Sequence, residues 1–304
     1  MSKKKSADTL VMQKYAKRSQ FGEIFYRLRK NKGAMVGLGI IVLIILCFVY
    51  SLFFISYEDI TQGAVLDRLT APGATSRTGT HYYFGADHMG RDMFARILYG
   101  SRYSLSIGFA GSAIAAAIGI TFGCFAGYYG GVRENVIMRA AEVLTSIPGI
   151  LLGMVILNTL GASLQNLIIT VGVSSIPIYI RMTRASILSI RNQEYVEAAR
   201  AIGLPNSIII FKHVLLNGLS PIIIVFTMNI GMMILIASGL SFLGYGITAP
   251  LPEWGTLISG GREYLRNAPH LLYFPGLFIM LTVLSFNMIG DGLRDALDPK
   301  LKTR

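Results

Sequence analysis

The sequence predicts an all-α polytopic membrane protein with six transmembrane helices, and three observations carry that prediction. Of its 304 residues, 53% are hydrophobic and only 14% charged, against about 25% charge in soluble domains. Uncharged apolar stretches long enough to cross a bilayer recur along the chain. Lys and Arg gather in alternate connecting segments, as expected when those segments share the cytoplasmic side. The net charge of +12 therefore sits at membrane flanks and not on a compact domain, so no nucleic-acid partner is expected.

Gln20 to Lys32 interleaves Phe21, Ile24, Phe25 and Leu28 with Arg27, Arg29, Lys30 and Lys32. That pattern reads as an amphipathic helix lying on the inner leaflet, or more simply as a basic flank. The first 31 residues are too polar for a cleaved signal peptide, and no small-residue cleavage site follows the first apolar run. Residues 34–55 are then a retained first span. Residues 103–129 form the second, with a stripe of small residues at Gly111, Ala115, Gly119, Gly123 and Gly127 that invites close helix packing. Residues 143–180 are uncharged for too long to be one helix and break plausibly at 158–166, giving spans three and four. The fifth is placed at 221–243 and the sixth at 267–290. Pro148, Pro177, Pro221 and Pro275 fall in or beside spans, which is compatible with a transport path.

With this division, 21 of the 28 Lys and Arg fall in segments 1–33, 129–142, 181–213 and 291–304, and seven fall in 56–102 and 244–269. Six spans with both termini in the cytoplasm satisfy the positive-inside rule; a single span over 143–180 would put a five-cation loop outside.

The chemistry of common enzyme classes is missing. There is no phosphate loop of the form G-x-x-x-x-G-K-[ST], no H-E-x-x-H and no G-x-S-x-G. Cys47 and Cys124 lie inside apolar runs, without metal-like or disulfide spacing. His81 and His88, with Asp87, are too sparse a set for a metal site, and no metal or other cofactor is expected. Ionisable residues are nearly absent from the spans, which argues against an ion-coupled carrier and implies that energy enters from elsewhere. A membrane-embedded hydrolase is disfavoured because no nucleophile–base pair lies in the spans.

One short segment is written differently. Glu194 to Pro205 reads as a helix of roughly ten residues, too short to span, with Asn192 as N-cap. Glu194 and Glu197 suit its positive end, Gly203 suits a left-handed C′ position, and Pro205 stops it. Tyr195, Ala198, Ala199 and Ile202 share one apolar face, which docks on a partner or packs on its own protein. Glu197-Ala198-Ala199-x3-Gly203 resembles the cytoplasmic EAA motif of binding-protein-dependent ABC importer permeases. Phe84-Gly-Ala-Asp87-His-Met-Gly90-Arg91-Asp92, Leu240-Ser-Phe-Leu-Gly244, Pro252-Glu253-Trp254-Gly255 and Phe286-Asn287-x2-Gly290-Asp291-x2-Arg294 resemble further blocks of its dipeptide/oligopeptide/nickel group, C-type subunit. His213 and Leu216 stand where the family motif has Ile and Pro, so the helix leading into span five has room to begin early. Residues 57–83 resemble little in the family.

The resemblance implies a type I ABC importer permease fold in a bacterial or archaeal cell membrane. It implies a second, different permease subunit, two cytoplasmic ABC ATPase subunits and an extracytoplasmic solute-binding protein. ATP hydrolysis would lie in the ATPases, so the chain is expected not to be an enzyme. Peptides are the expected cargo, with nickel, glutathione or another small solute as alternatives. On this reading residues 1–33 are the N-terminal segment, 34–102 the first span and extracytoplasmic segment, 103–293 the permease core with coupling loop 190–213, and 294–304 the tail. Tyr195, Glu197, Ala198, Ala199, Ile202 and Gly203 would transmit force from an ATPase. Asp87, Gly90, Arg91, Asp92, Glu253 and Trp254 would shape an outer gate or a dock for the binding protein, or simply tether a folded loop.

Overall fold

Asn31 turns the chain between the first two helices. Its side chain opens α2 (Lys32–Phe54) by accepting from the Ala34 amide at 3.0 Å, just after α1 (Gln20–Lys30) ends. The computed structural model describes residues 20–76 and 79–297; the expectations placed on 1–19 and 298–304 lie outside them. Buried Ala34, Gly37, Ile41, Ile44 and Ser51 recur at helical spacing and make one narrow inner stripe on α2, while Leu43, Leu46 and Phe53 are exposed. Gly37 lies against Met288 and the Ser285 carbonyl, so α2 leans on the last helix.

After α3 (Tyr57–Thr61), whose capping box joins Ser56 and Asp59, the chain forms a small cap. It holds a two-stranded antiparallel pair, β1 (Ala74–Thr75) and β2 (His81–Tyr82), in the register Ala74↔Tyr82 and Thr75↔His81. Six further helices and one bent pair follow among the described residues: α4 (Met93–Tyr129), the bent pair α5 (Gly131–Ser146) and α6 (Gly149–Leu160), α7 (Leu164–Ile190), α8 (Glu194–Ala201), α9 (Asn206–Tyr245), α10 (Trp254–Gly261) and α11 (His270–Leu297). Among the described residues five helices are long and apolar enough to cross a membrane, and α5 with α6 makes a sixth if the two count as one span.

The glycine stripe of the second span is buried inside this chain. A Cβ on Gly119 would meet Tyr179, one on Gly123 would meet Thr183 at 2.6 Å, and one on Gly127 would meet Ile187 at 2.7 Å. With no side chain in between, the backbones of α4 and α7 approach closely along their whole shared length. Leu167, Val171, Ile176, Tyr179 and Ile180 fill the core beside them with Met233, Ala237 and Leu240 of α9.

Several expected boundaries moved. The second span starts at Met93 and not at 103, because Asp92 caps the helix from the Phe94 and Ala95 amides and its first turns are held under the cap. The third is no straight helix over 143–158: it bends by 86° between α5 and α6, since the residue before a proline is driven out of the helical region and Ile147 sits at φ −95°, ψ 125°. The fifth begins at Asn206, fifteen residues before Pro221. With Leu at 216 nothing breaks the helix, which passes through a π turn at Ile209–Leu215 and a 3-10 turn at Leu216–Gly218. Asn217 covers the His213 carbonyl there at 2.6 Å. The break at 158–166 stands, with Gly161 at φ 87° and Ser163 capping α7 through the Asn166 amide.

Candidate functional site

Helix α8 lies on the bundle end where α4 and α7 finish and α9 begins. Its N-cap is Gln193 and not Asn192, and no side chain caps it. The Gln193 amide instead donates to the Ile190 carbonyl at 3.0 Å, so the turn out of α7 uses up the expected cap position. At the other end Gly203 has φ 78°. Its amide donates to Arg200 at 2.9 Å, and that of Leu204 donates to Ala199 at 3.2 Å. This paired return is the Schellman closure, and glycine permits it because a Cβ is disfavoured at positive φ.

The face expected to be continuous is divided. Val196 and Ala199, three apart, are buried at 0% and 5% exposure in a cluster with Cys124, Tyr128, Ile187, Ile209, Ile210 and Val214. Tyr195, Glu197, Ala198 and Ile202 point away from the chain, with Tyr195 43% and Ile202 76% exposed. Adjacent apolar residues at 195–196 and 198–199 suit either of two faces, and only the packing shows which is inner. Glu197 has no side-chain hydrogen bond or ion pair among the described residues.

Polar contacts that sequence reasoning missed tie this end together. Arg200 Nε donates to the Tyr128 hydroxyl at 3.3 Å, and that hydroxyl donates to Asn206 Oδ1 at 2.9 Å. Arg191 donates to the Gly127 carbonyl at 2.8 Å, and Arg184 Nε to Glu134 at 2.6 Å. These links join α8 and both its flanking helices to α4 and α5. Their partners lie 50 to 78 residues apart, so no local pattern announces them. Nearby, α7, α9 and α11 enclose a cleft of about 630 Å³, with Ser186, Asn217, Met228 and Arg294 among its walls.

At the far end, of the residues singled out in the cap, Asp87, Gly90, Arg91, Glu253 and Trp254 prove to be buried, while Asp92, the N-cap of α4, is half-buried. Asp87 accepts from the Met89 amide at 2.8 Å, the Arg91 amide at 3.0 Å and Arg91 Nε at 2.8 Å. Burial pushes the Asp87 carboxyl up, but the Arg91 hydrogen bonds and the charges of Arg91 and Arg96 outweigh it and hold the group below 3.8. Gly90, at φ 76°, lets the turn pass under the Ala64 backbone, where a Cβ would collide. Glu253 caps α10 through the Gly255 and Thr256 amides, both at 2.9 Å, while Ser104 and Ser238 donate to it from α4 and α9. Trp254 is fully buried and its indole N–H donates to the Ile97 carbonyl at 2.9 Å. Asp87 and Arg91 are thus brought together, and so are Glu253 and Trp254, each as an internal tie of the cap. Among the described residues no group of three or more His, Cys, Asp or Glu could hold a metal.

A helical bundle with a broken span, a folded cap at one end and a short helix carried at the other defines a multi-pass membrane permease. Residues 119–303 match the family described as binding-protein-dependent transport system inner membrane component, and residues 19–72 match the N-terminal TM domain of oligopeptide transport permease C. The chain belongs to this permease family, in its dipeptide/oligopeptide/nickel C-type group, and is a multi-pass protein of the cell membrane. It is 44% identical over 291 residues to a dipeptide transport system permease protein of Alkalihalophilus pseudofirmus, covering 95% of this chain and 93% of that one. Glutathione transport system permease proteins of Pectobacterium atrosepticum and Escherichia coli are 39% and 40% identical, over 92% and 94% of this chain and 91% and 92% of theirs. A chain of the inward-facing MetNI methionine ABC transporter shares the fold, with a TM-score of 0.56 and 18% identity over 67% of this chain and 97% of that one. That is the type I importer permease fold. As a membrane component of this family the chain is not itself an enzyme; ATPase activity lies in separate subunits.

Proposed function

We propose that this chain is one of two different permease subunits of an ATP-driven importer of di- and oligopeptides, fed by an extracytoplasmic binding protein and driven by two cytoplasmic ATPases. The observation that carries the reading is the divided helix α8. Its inner face holds it to the bundle, and Tyr195, Ala198 and Ile202 stand outward, exposed among the described residues. A groove on an ATPase would take that outer face, with Glu197 facing a cation there. Motion of α8 would pass through Arg200, Tyr128 and Asn206 into α4 and α9. The cap residues Asp87, Gly90, Arg91, Asp92, Glu253 and Trp254 act by holding the surface that meets the binding protein, which their burial favours. The bias of Lys and Arg supports a cytoplasmic side for both termini and α8.

The experiment is reconstitution in liposomes of this chain with the permease, ATPases and binding protein encoded beside it. Labelled dipeptide should enter only with ATP and the binding protein. Uptake by this chain alone along an ion gradient would overturn the reading. The glutathione permeases among its relatives favour a second cargo, glutathione, and competition between glutathione and a dipeptide for uptake separates the two. For topology, Ser76→Cys and Ser163→Cys should react with an impermeant thiol reagent from outside and Ser207→Cys should not.

A further inference from the structure

Beneath the cap, His88 stands on the walls of three hollows. A mouth of about 570 Å³ lies between the 246–249 loop and Arg262, Glu263 and Tyr264. An inner chamber of about 240 Å³ lies among Asp87, Arg91, Arg96, Leu257 and Leu271, and a side recess of about 390 Å³ reaches Arg68. Mouth and chamber share Ala249, Thr256 and Gly260 as well as His88. The His88 ring stacks on Tyr264 at 5.5 Å between centroids, so the two rings flank the junction. Thr248, Ala249, Gly260, Arg262 and Glu263 are exposed and open the mouth to the outside of the fold, whereas Asp87, Arg91 and Arg96 are buried.

The chamber wall holds more cation than carboxylate. Asp87 is its one carboxylate among the described residues, and Arg91 takes it, with Nε donating to Oδ2 at 2.8 Å and Nη2 2.7 Å from the same oxygen. Arg96 is 4% exposed. Its Nη1 donates to the Ile60 carbonyl at 2.6 Å, but its Nε lies 3.7 Å from Asp87 and makes no hydrogen bond among the described residues. The neighbouring carboxylates are engaged elsewhere: Asp92 holds the Phe94 and Ala95 amides, and Asp67 accepts from the Tyr82 hydroxyl at 3.2 Å. A buried guanidinium N–H without an acceptor is costly, and an anion in the chamber would remove that cost. His88 registers the same field. Burial holds its imidazole below 6.5, and the charges of Arg91, Arg96 and Arg68 add to this against the pull of Asp87. In the mouth, the buried Ser241 hydroxyl is also without a partner among the described residues.

We propose that the inner chamber is a carboxylate site, in which Arg96 Nε donates to the C-terminal carboxylate of a short peptide that enters through the mouth past His88 and Tyr264. Met93, Leu257 and Leu271 give the chamber apolar walls, which strengthen a charge-assisted hydrogen bond made there. Ser241 Oγ is placed to meet the polar main chain of the peptide in the mouth. The assignment rests on the importer reading above and adds to it a cargo contact within this subunit.

The test measures binding of L-alanyl-L-alanine, its C-terminal amide and chloride to the full chain in detergent, by calorimetry at low ionic strength. The dipeptide should bind about tenfold more tightly than the amide, which offers a neutral acceptor in place of a charged one. Arg96→Gln should abolish that preference. Because Arg96 also holds Ile60, a second variant leaves every bond of the cap in place. A Cβ on Gly260 would meet only His88, at 3.9 Å, so Gly260→Leu fills the junction between mouth and chamber. It should melt with the wild type and lose the dipeptide. Three results overturn the proposal: no preference for dipeptide over amide, undiminished binding in Gly260→Leu, or displacement of the dipeptide by equimolar chloride, which would mark a structural halide. Uptake by the reconstituted transporter is read in parallel. Dipeptide binding without ATP-driven uptake sinks the importer reading alone, and ATP-driven uptake without dipeptide binding to this chain sinks the site alone.

Discussion

The Tyr128 hydroxyl donates to Asn206 Oδ1 at 2.9 Å across 78 residues of sequence, joining the last turn of α4 to the first turn of α9. Arg200 donates to the same hydroxyl at 3.3 Å and stacks over the ring, 5.1 Å from its centroid. One phenol thus connects the short helix α8 to two of the longest helices of the bundle. Removing only its oxygen should cut the connection and keep the packing. Tyr128→Phe is expected to cost about 1 kcal/mol, the net worth of an ordinary hydrogen bond. If the phenol transmits motion, ATP hydrolysis in the reconstituted transporter should continue while peptide uptake falls. Equal uptake per ATP in wild type and variant would show the link to be structural only.

The divided face of α8 predicts opposite outcomes for neighbouring alanines. Ala198 is exposed, so Ala198→Arg should leave the melting temperature of the chain unchanged and abolish ATP-driven uptake. Ala199 is 5% exposed against Tyr128 and Val214, so Ala199→Arg places a charge in an apolar cluster and should lower the melting temperature itself. Thermal unfolding in detergent, read beside uptake, separates the two. Full uptake with Ala198→Arg would remove the docking face from the mechanism.

Gly123 meets Thr183 and the Ile180 carbonyl within this chain. Gly123→Leu forces α4 and α7 apart and is expected to cost roughly 1–3 kcal/mol or more as overpacking. The isolated chain in detergent should melt earlier or fail to accumulate, without any partner present. An unchanged melting temperature would contradict the observed helix contact.

Asp87 ties pH to the cap. Its folded carboxyl titrates below the ordinary 3.8, so the ionised group stabilises the fold. That stabilisation is present in full above the unfolded value and is lost as pH falls through the lower folded value. Asp87→Asn leaves buried Arg91 without its partner and should destabilise the cap by about 3–5 kcal/mol at neutral pH. The gap between variant and wild type should close below pH 3.8. Proteolysis of the 62–92 segment against pH measures both.

Composition and charge placement determined the membrane class, the number of spans to within the one that is bent, and the position of the short helix, because burial in hydrocarbon selects for apolar runs whatever their tertiary neighbours. Gly203 was legible for a local reason as well: a helix that must stop and turn needs positive φ, and glycine supplies it. The inner face of α8 was not legible, since Tyr195, Val196, Ala198 and Ala199 are compatible with two faces and only Ile209, Ile210 and Val214 decide between them. Pro148 marked a break without its 86° angle, which depends on what α5 and α6 each pack against. Asp87, Arg91, Glu253 and Trp254 stood out because their segments resemble blocks of the permease family. Tertiary structure alone turned them inward, because a folded cap must satisfy its own buried amides and carbonyls before it can present a surface to anything else.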